Sequence, residues 1–285
     1  MRAACLLALA ACNGSMEKYF AQDVVEIVDN VPYVAGTTNP RQELDLYLPR
    51  AVDHFPVVVF IHGGFWIHQD KNYFEPIVGL YHNVGIALAR RGIGTAVINY
   101  RLVPDVDFEA QFDDCARAIA WVHDHIADHR GDPEAIVVAG HSAGGHIAAL
   151  AAFDDARLTA SGVDVTAIKG YAPLSPILDL AQMAASSQED ADIAAEVFGP
   201  DLAPDSPSTH FKATVAPLLF VIGDRDLSFV LAQVPAAITT LESLGAPVTF
   251  QEVPGKTHDD IVVDFDTDAD LVTPLLAAFV HTVTH

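Results

Sequence analysis

The chain is poor in cysteine, with Cys5, Cys12 and Cys115 the only three in 285 residues. That number supports no disulfide framework, so the fold must rest on a hydrophobic core, for which a 51% share of hydrophobic residues is ample. Cys115 falls in a helical pattern and reads as a small core residue. Positive charge is also scarce. Fifteen Lys and Arg face 38 Asp and Glu, a formal net charge of -23. A surface of that sign repels nucleic acid and anionic membranes and disfavours strongly anionic ligands. No apolar run approaches the roughly 18 residues of a membrane span. Metal and phosphate signatures are missing too: no HExxH, no Cys pair and no Gly-rich loop ending in Lys. His123, His125 and His129 read as a solvated helix face. Asp259, Asp260, Asp264, Asp266, Asp268 and Asp270 lack EF-hand spacing and read as surface charge. No cofactor or metal is implied.

The first residues hold a minimal positive start, Met1-Arg2, and a short apolar stretch over 3–11. Leu9-Ala10-Ala11-Cys12 resembles the lipobox of bacterial lipoproteins. The resemblance implies lipidation of Cys12, membrane attachment through it and residence at the bacterial cell envelope. Residues 1–21 are then leader and tether, and 22–285 a single domain. The alternative is a start at Met16 and a cytoplasmic protein.

From residue 24 onward, apolar runs alternate with helical patterns. Segments 24–34 and 43–48 read as an antiparallel strand pair with a turn over 36–41. Strands follow at 57–61, 94–100, 135–139, 166–172, 217–222 and 247–253. Helices are predicted over 73–91, 111–127, 145–152, 227–244 and 267–283. This alternation predicts an α/β fold, a mostly parallel eight-stranded doubly wound sheet with helices on both faces. A long acidic insertion, 175–212, follows the sixth strand and has room for a helix over 189–198. Insertions of that length in a compact domain are usually functional.

The chemistry centres on Gly140-His141-Ser142-Ala143-Gly144-Gly145, directly after the apolar run 135–139. This is G-x-S-x-G in the strand-to-helix setting where a serine stands on a strained turn as a nucleophile. Small neighbours leave the Ala143 amide free to face a developing oxyanion. A serine nucleophile needs a base, an acid to orient the base, and oxyanion donors. His258 follows the last strand on a Pro254-Gly255 turn and is the candidate base. Asp226 follows the preceding strand and is the favoured acid, with Asp224 and Asp179 as alternatives. His62-Gly63-Gly64-Phe65-Trp66, at the end of the strand 57–61, is the candidate oxyanion loop.

Together with Asp70-Lys71, Asn99 to Pro104, Asp113-Asp114 and Gly131-Asp132-Pro133, these pieces resemble the α/β-hydrolase superfamily. Within it they look like the esterase group of hormone-sensitive-lipase-like enzymes, BD-FAE proteins and arylformamidases. The resemblance implies Ser142 as nucleophile, His258 as base, Asp226 as its orienter and the amides of Gly63, Gly64 and Ala143 as the oxyanion hole. It also implies that Arg101 pairs with Asp113 or Asp114. Phe65, Trp66, Phe198 and Phe229 are candidates for the apolar walls. The expected activity is hydrolysis of a small-molecule carboxylic ester, short-chain or aromatic, through an acyl-enzyme. An arylformamidase using the same triad is the alternative, because aromatic residues follow only two glycines. A silent binding module is the third reading.

Overall fold

Eight strands form one sheet: β1 (Val25–Pro32), β2 (Glu43–Pro49), β3 (Phe55–Ile61), β4 (Gly94–Ile98), β5 (Gly131–His141), β6 (Ile168–Leu174), β7 (Leu218–Arg225) and β8 (Val248–Thr257). They lie in the order β1-β2-β4-β3-β5-β6-β7-β8. The pairs β1/β2 and β2/β4 are antiparallel and all others parallel. The computed structural model describes residues 24–73 and 79–285. The leader over 1–21 and its Cys12 lie outside the described residues, as do 74–78.

Parallel neighbours need crossovers, and helices supply them. They are α1 (His82–Ala89), α2 (Phe108–His125), α3 (Ala143–Phe153), α4 (Asp155–Ala160), α5 (Leu180–Ala184), α6 (Gln188–Phe198), α7 (Ser228–Leu244), α8 (Asp260–Val263) and α9 (Val272–Thr284). Every residue of β3 and β4 is buried, which is why their sequences are mostly apolar, with Thr95 their one polar side chain, and lack polar alternation. The pleat sends Val57, Val59 and Ile61 to the face covered by α2, α3 and α7. Val58 and Phe60 point to the opposite face, covered by α1 and α9.

Several boundaries differ from the sequence expectation. The helix predicted over 73–91 is described only as α1, from His82. Helix α2 begins at Phe108, because the Asp107 side chain accepts the Ala110 amide at 2.9 Å and caps it. The last helix starts at Val272 rather than 267, where Asp270 accepts the amides of Val272 and Thr273 at 3.0 and 2.8 Å. The insertion holds two helices, α5 and α6, instead of one, and α4 was not anticipated.

The chain runs from β3 outward to β4 on one side, then crosses back to β5 on the other. At such a reversal the connections diverge and leave a crevice beyond the carboxyl ends of the two strands. His62 follows β3, and Ser142 follows β5, so both loops open onto that crevice.

Candidate active site

Ser142 stands between β5 and α3 with φ 57° and ψ -117°, a conformation that L residues rarely adopt. Hydrogen bonds on both sides hold it there. Its amide donates to Leu174 O at 3.0 Å, and its carbonyl accepts the His146 amide at 2.8 Å. The turn is tight enough that a Cβ on Gly144 would sit 2.1 Å from Ile61 O. The N-terminal end of α3, with its unsatisfied amides, begins at the next residue, Ala143.

The candidate oxyanion loop lies alongside, since a Cβ built on Gly63 would come within 3.2 Å of Ser142 Cβ. Gly64 sits at φ +110°, and a side chain there would meet His68 O at 2.2 Å. The carbonyls of this loop are pinned one after another. Tyr100 Oη donates to His62 O at 3.0 Å, and His62 Nδ1 to Gly63 O at 2.7 Å. Gly64 O accepts the amides of Ile67 and His68 at 3.2 and 2.9 Å, and Trp66 O accepts Gln111 Nε2 at 2.6 Å. Fixing a carbonyl fixes the N–H of the same peptide on the opposite side. The Gly63 amide donates to Tyr81 Oη at 2.9 Å. That bond engages the Gly63 amide. The amides of Gly64, Phe65 and Ala143 have no acceptor among the described residues. Phe65 sits at φ 53°.

Asp226 and His258 are brought together, His258 Nδ1 lying 2.6 Å from Asp226 Oδ1. The same carboxylate accepts the Leu227 amide at 2.7 Å and the Gly223 amide at 3.3 Å. Ser175 Oγ donates to it at 2.5 Å. Burial alone would raise the Asp226 carboxyl. The hydrogen bond and charge of His258, with the Ser175 and Leu227 bonds, outweigh burial and hold it below its ordinary value. Ser175 was missed from sequence. It is the first residue after β6, which lies between β5 and β7, so it arrives at the same end of the sheet as Ser142 and Asp226. The alternative acids are engaged elsewhere. Asp224 accepts the Gly255 amide at 2.7 Å, and Asp179 caps α5 through the Gln182 amide at 2.9 Å.

His141 ties the two halves together. Its Nε2 donates to His258 O at 2.9 Å, and the two rings lie 4.7 Å apart. Burial, and then the neighbouring His258, push the His141 pKa down to about 3. Burial likewise lowers His62 to about 4 and His146 to about 3. All three are neutral at pH 7 and each can donate through one nitrogen only.

The insertion packs against the 62–66 loop and α2. Phe198 meets Trp66 edge-on at 4.9 Å and Phe108 at 4.7 Å. Trp66 is wholly buried and Phe229 nearly so, while Phe65 and Phe198 are half-buried. Asp205 of the insertion pairs with Arg157 at 3.1 Å, and its carbonyl accepts His146 Nε2 at 2.7 Å. Further back, Arg101 pairs with the buried Asp114 at 2.6 Å. A surface hollow of about 450 Å³ lined by Tyr33, Arg117, Trp121 and His125 shares no residue with this site.

Residues 44–240 match the BD-FAE family model. The chain is 30% identical over 240 residues to isoprenylcysteine alpha-carbonyl methylesterase ICME of Arabidopsis thaliana, which covers 78% of this chain and 55% of that protein. It is 29% identical over 271 residues to esterase LipQ of Mycobacterium tuberculosis, covering 89% of this chain and 61% of that one. It thus spans a little over half the length of these relatives. Among solved structures, esterase B from Lactobacillus rhamnosis gives a TM-score of 0.78 at 21% identity, over 98% of this chain and 95% of that one. The carboxylesterase EstE1 gives 0.75 at 18% identity, over 96% of both. These likenesses establish the α/β-hydrolase fold.

Proposed function

The chain belongs to the BD-FAE family, and we propose that it is a serine hydrolase of carboxylic esters in which Ser142 is the nucleophile, His258 the base and Asp226 the residue that orients the base. The observation that carries this reading is the 2.6 Å bond between His258 Nδ1 and Asp226, on loops that meet beside the Ser142 turn. With Nδ1–H given to Asp226, Nε2 of a neutral His258 is the proton acceptor. Ser142 Oγ loses its proton to Nε2 as it attacks the ester carbonyl. The oxyanion takes the amides of Gly64, Phe65 and Ala143, which are held in place before substrate arrives. The imidazolium returns the proton to the departing alcohol and leaves an acyl-serine. Water, deprotonated by His258, then releases the acid and restores Ser142.

A small neutral or aromatic ester suits the half-buried Phe65 and Phe198 and the acidic surface. Names of relatives that specify methyl esters support a small alcohol. The Phe65-Trp66 pair keeps an aryl formamide as the second reading. The test follows p-nitrophenyl butyrate, a methyl ester and N-formylkynurenine with wild type and Ser142→Ala. Ester cleavage lost in the variant is the expected result. Cleavage of the formamide alone moves the assignment to the second reading, and ester cleavage that survives Ser142→Ala refutes both.

A further inference from the structure

Tyr81 is wholly buried one residue before α1, at φ 77°, and no step of the proposed chemistry uses it. Its hydroxyl accepts the Gly63 amide at 2.9 Å and donates to Gln69 Oε1 at 2.7 Å. The Gln69 carbonyl in turn accepts a bond from the Arg41 guanidinium. Gly63 N–H and His62 C=O belong to one peptide, and Tyr100 Oη donates to that carbonyl at 3.0 Å. Two buried tyrosines therefore grip opposite edges of the peptide that precedes the Gly64 and Phe65 amides. The backbone of Tyr81 reaches the other half of the site. Its amide donates to Asn83 Oδ1 at 2.9 Å, and Asn83 Nδ2 donates to Val262 O at 2.8 Å, in α8 just beyond His258.

We propose that Tyr81 is a positioning residue for the reaction: with Asn83 it fixes the amide loop at 62–66 relative to the loop that carries His258. The inference rests on the serine-hydrolase reading. A buried tyrosine hydroxyl with a donor on one side and an acceptor on the other makes two directional bonds, and phenylalanine of nearly the same shape makes neither. Ground-state binding of an ester barely depends on the angle of the oxyanion amides, whereas the tetrahedral state does, so the effect falls on kcat.

The experiment compares wild type, Ser142→Ala, Tyr81→Phe and Asn83→Ala on p-nitrophenyl butyrate, with butylboronic acid as a tetrahedral adduct. Tyr81→Phe is expected to lower kcat on the order of 10- to 100-fold with KM within about twofold, the scale of one amide left unpaired. Boronate affinity should fall by a similar factor, and the far-ultraviolet dichroism should stay that of wild type. Asn83→Ala should lower kcat by a smaller factor, and the double variant should fall short of the product of the two. Wild-type kcat and boronate affinity in folded Tyr81→Phe, or a loss confined to KM, overturns the positioning role while the hydrolase reading stands. Wild type that cleaves no ester, or is matched by Ser142→Ala, overturns both. If Tyr81→Phe does not fold, Asn83→Ala decides by the same kcat-against-KM split.

Discussion

Unfolding at pH 5 should take up close to three protons, one each for His62, His141 and His146. Burial holds all three neutral in the folded protein, with pKa values of about 4, 3 and 3 against 6.5 in the unfolded chain. A lowered folded pKa means that only the unfolded chain binds the proton between those limits. Stability therefore falls as pH drops below 6.5 and stops falling near 3 to 4. At pH 5 the folded forms are still almost wholly neutral, so the loss depends on the unfolded value alone. It comes to about 2 kcal/mol per histidine, about 6 kcal/mol for the three. That is comparable with the whole stability of an ordinary domain, about 5–15 kcal/mol. Relief of the net charge of -23 works in the opposite direction as the pH falls. A variant isolates the histidine contribution. Urea unfolding from pH 7.5 to 5 should give a slope near pH 5 of about 4 kcal/mol per pH unit, before the charge effect is added. His146→Gln should remove about a third of it, whatever its cost at neutral pH. A slope that is unchanged in both His146→Gln and His141→Gln refutes the reasoning.

Other substitutions test other parts of the structure. Lys71 Nζ, almost fully buried, meets the wholly buried Asp45 at 2.6 Å and Asn30 Oδ1 at 2.7 Å. Lys71→Met should cost about 3–5 kcal/mol by stranding the Asp45 carboxylate, read as a lower midpoint in urea; added Asp45→Asn should recover part of it. Ser175→Ala removes one donor from the Asp226 carboxylate, and should reduce kcat/KM about 3- to 30-fold with the fold intact. Unchanged kinetics would mean that the hydroxyl only fills space. Gly144→Ala puts a methyl group 2.1 Å from Ile61 O, and should yield little soluble protein or a destabilisation above about 4 kcal/mol, measured by thermal melting.

The central strands could be read from the sequence because buried strands of a parallel sheet are short apolar runs, whereas β1, β2 and β8 were legible from the turns that flank them. Helix starts were harder, because the Asp107 cap and the Asp270 carboxylate that takes the first amides of the last helix set them rather than the first apolar residue. Ser142, Asp226 and His258 stood out because each follows a strand and parallel strands deliver their ends to one edge. Ser175 and Tyr81 did not, since their parts are played through hydrogen bonds to segments 51 and 18 residues away.

His258 rides on the outermost strand. Among the described residues β8 pairs with β7 alone, and all of its residues but Val253 are exposed or half-buried. An edge held on one side opens by local fraying at a lower free energy than the central strands. His258, the proposed base, can thus leave while β3 and β5 still hold Ser142 and the amide loop in register. Warming should therefore extinguish turnover before it melts the sheet, and hydrogen exchange in 248–257 should run ahead of that in 55–61. Heat inactivation would then be reversible at first, a detached strand returning to its place, and irreversible only when the interior follows.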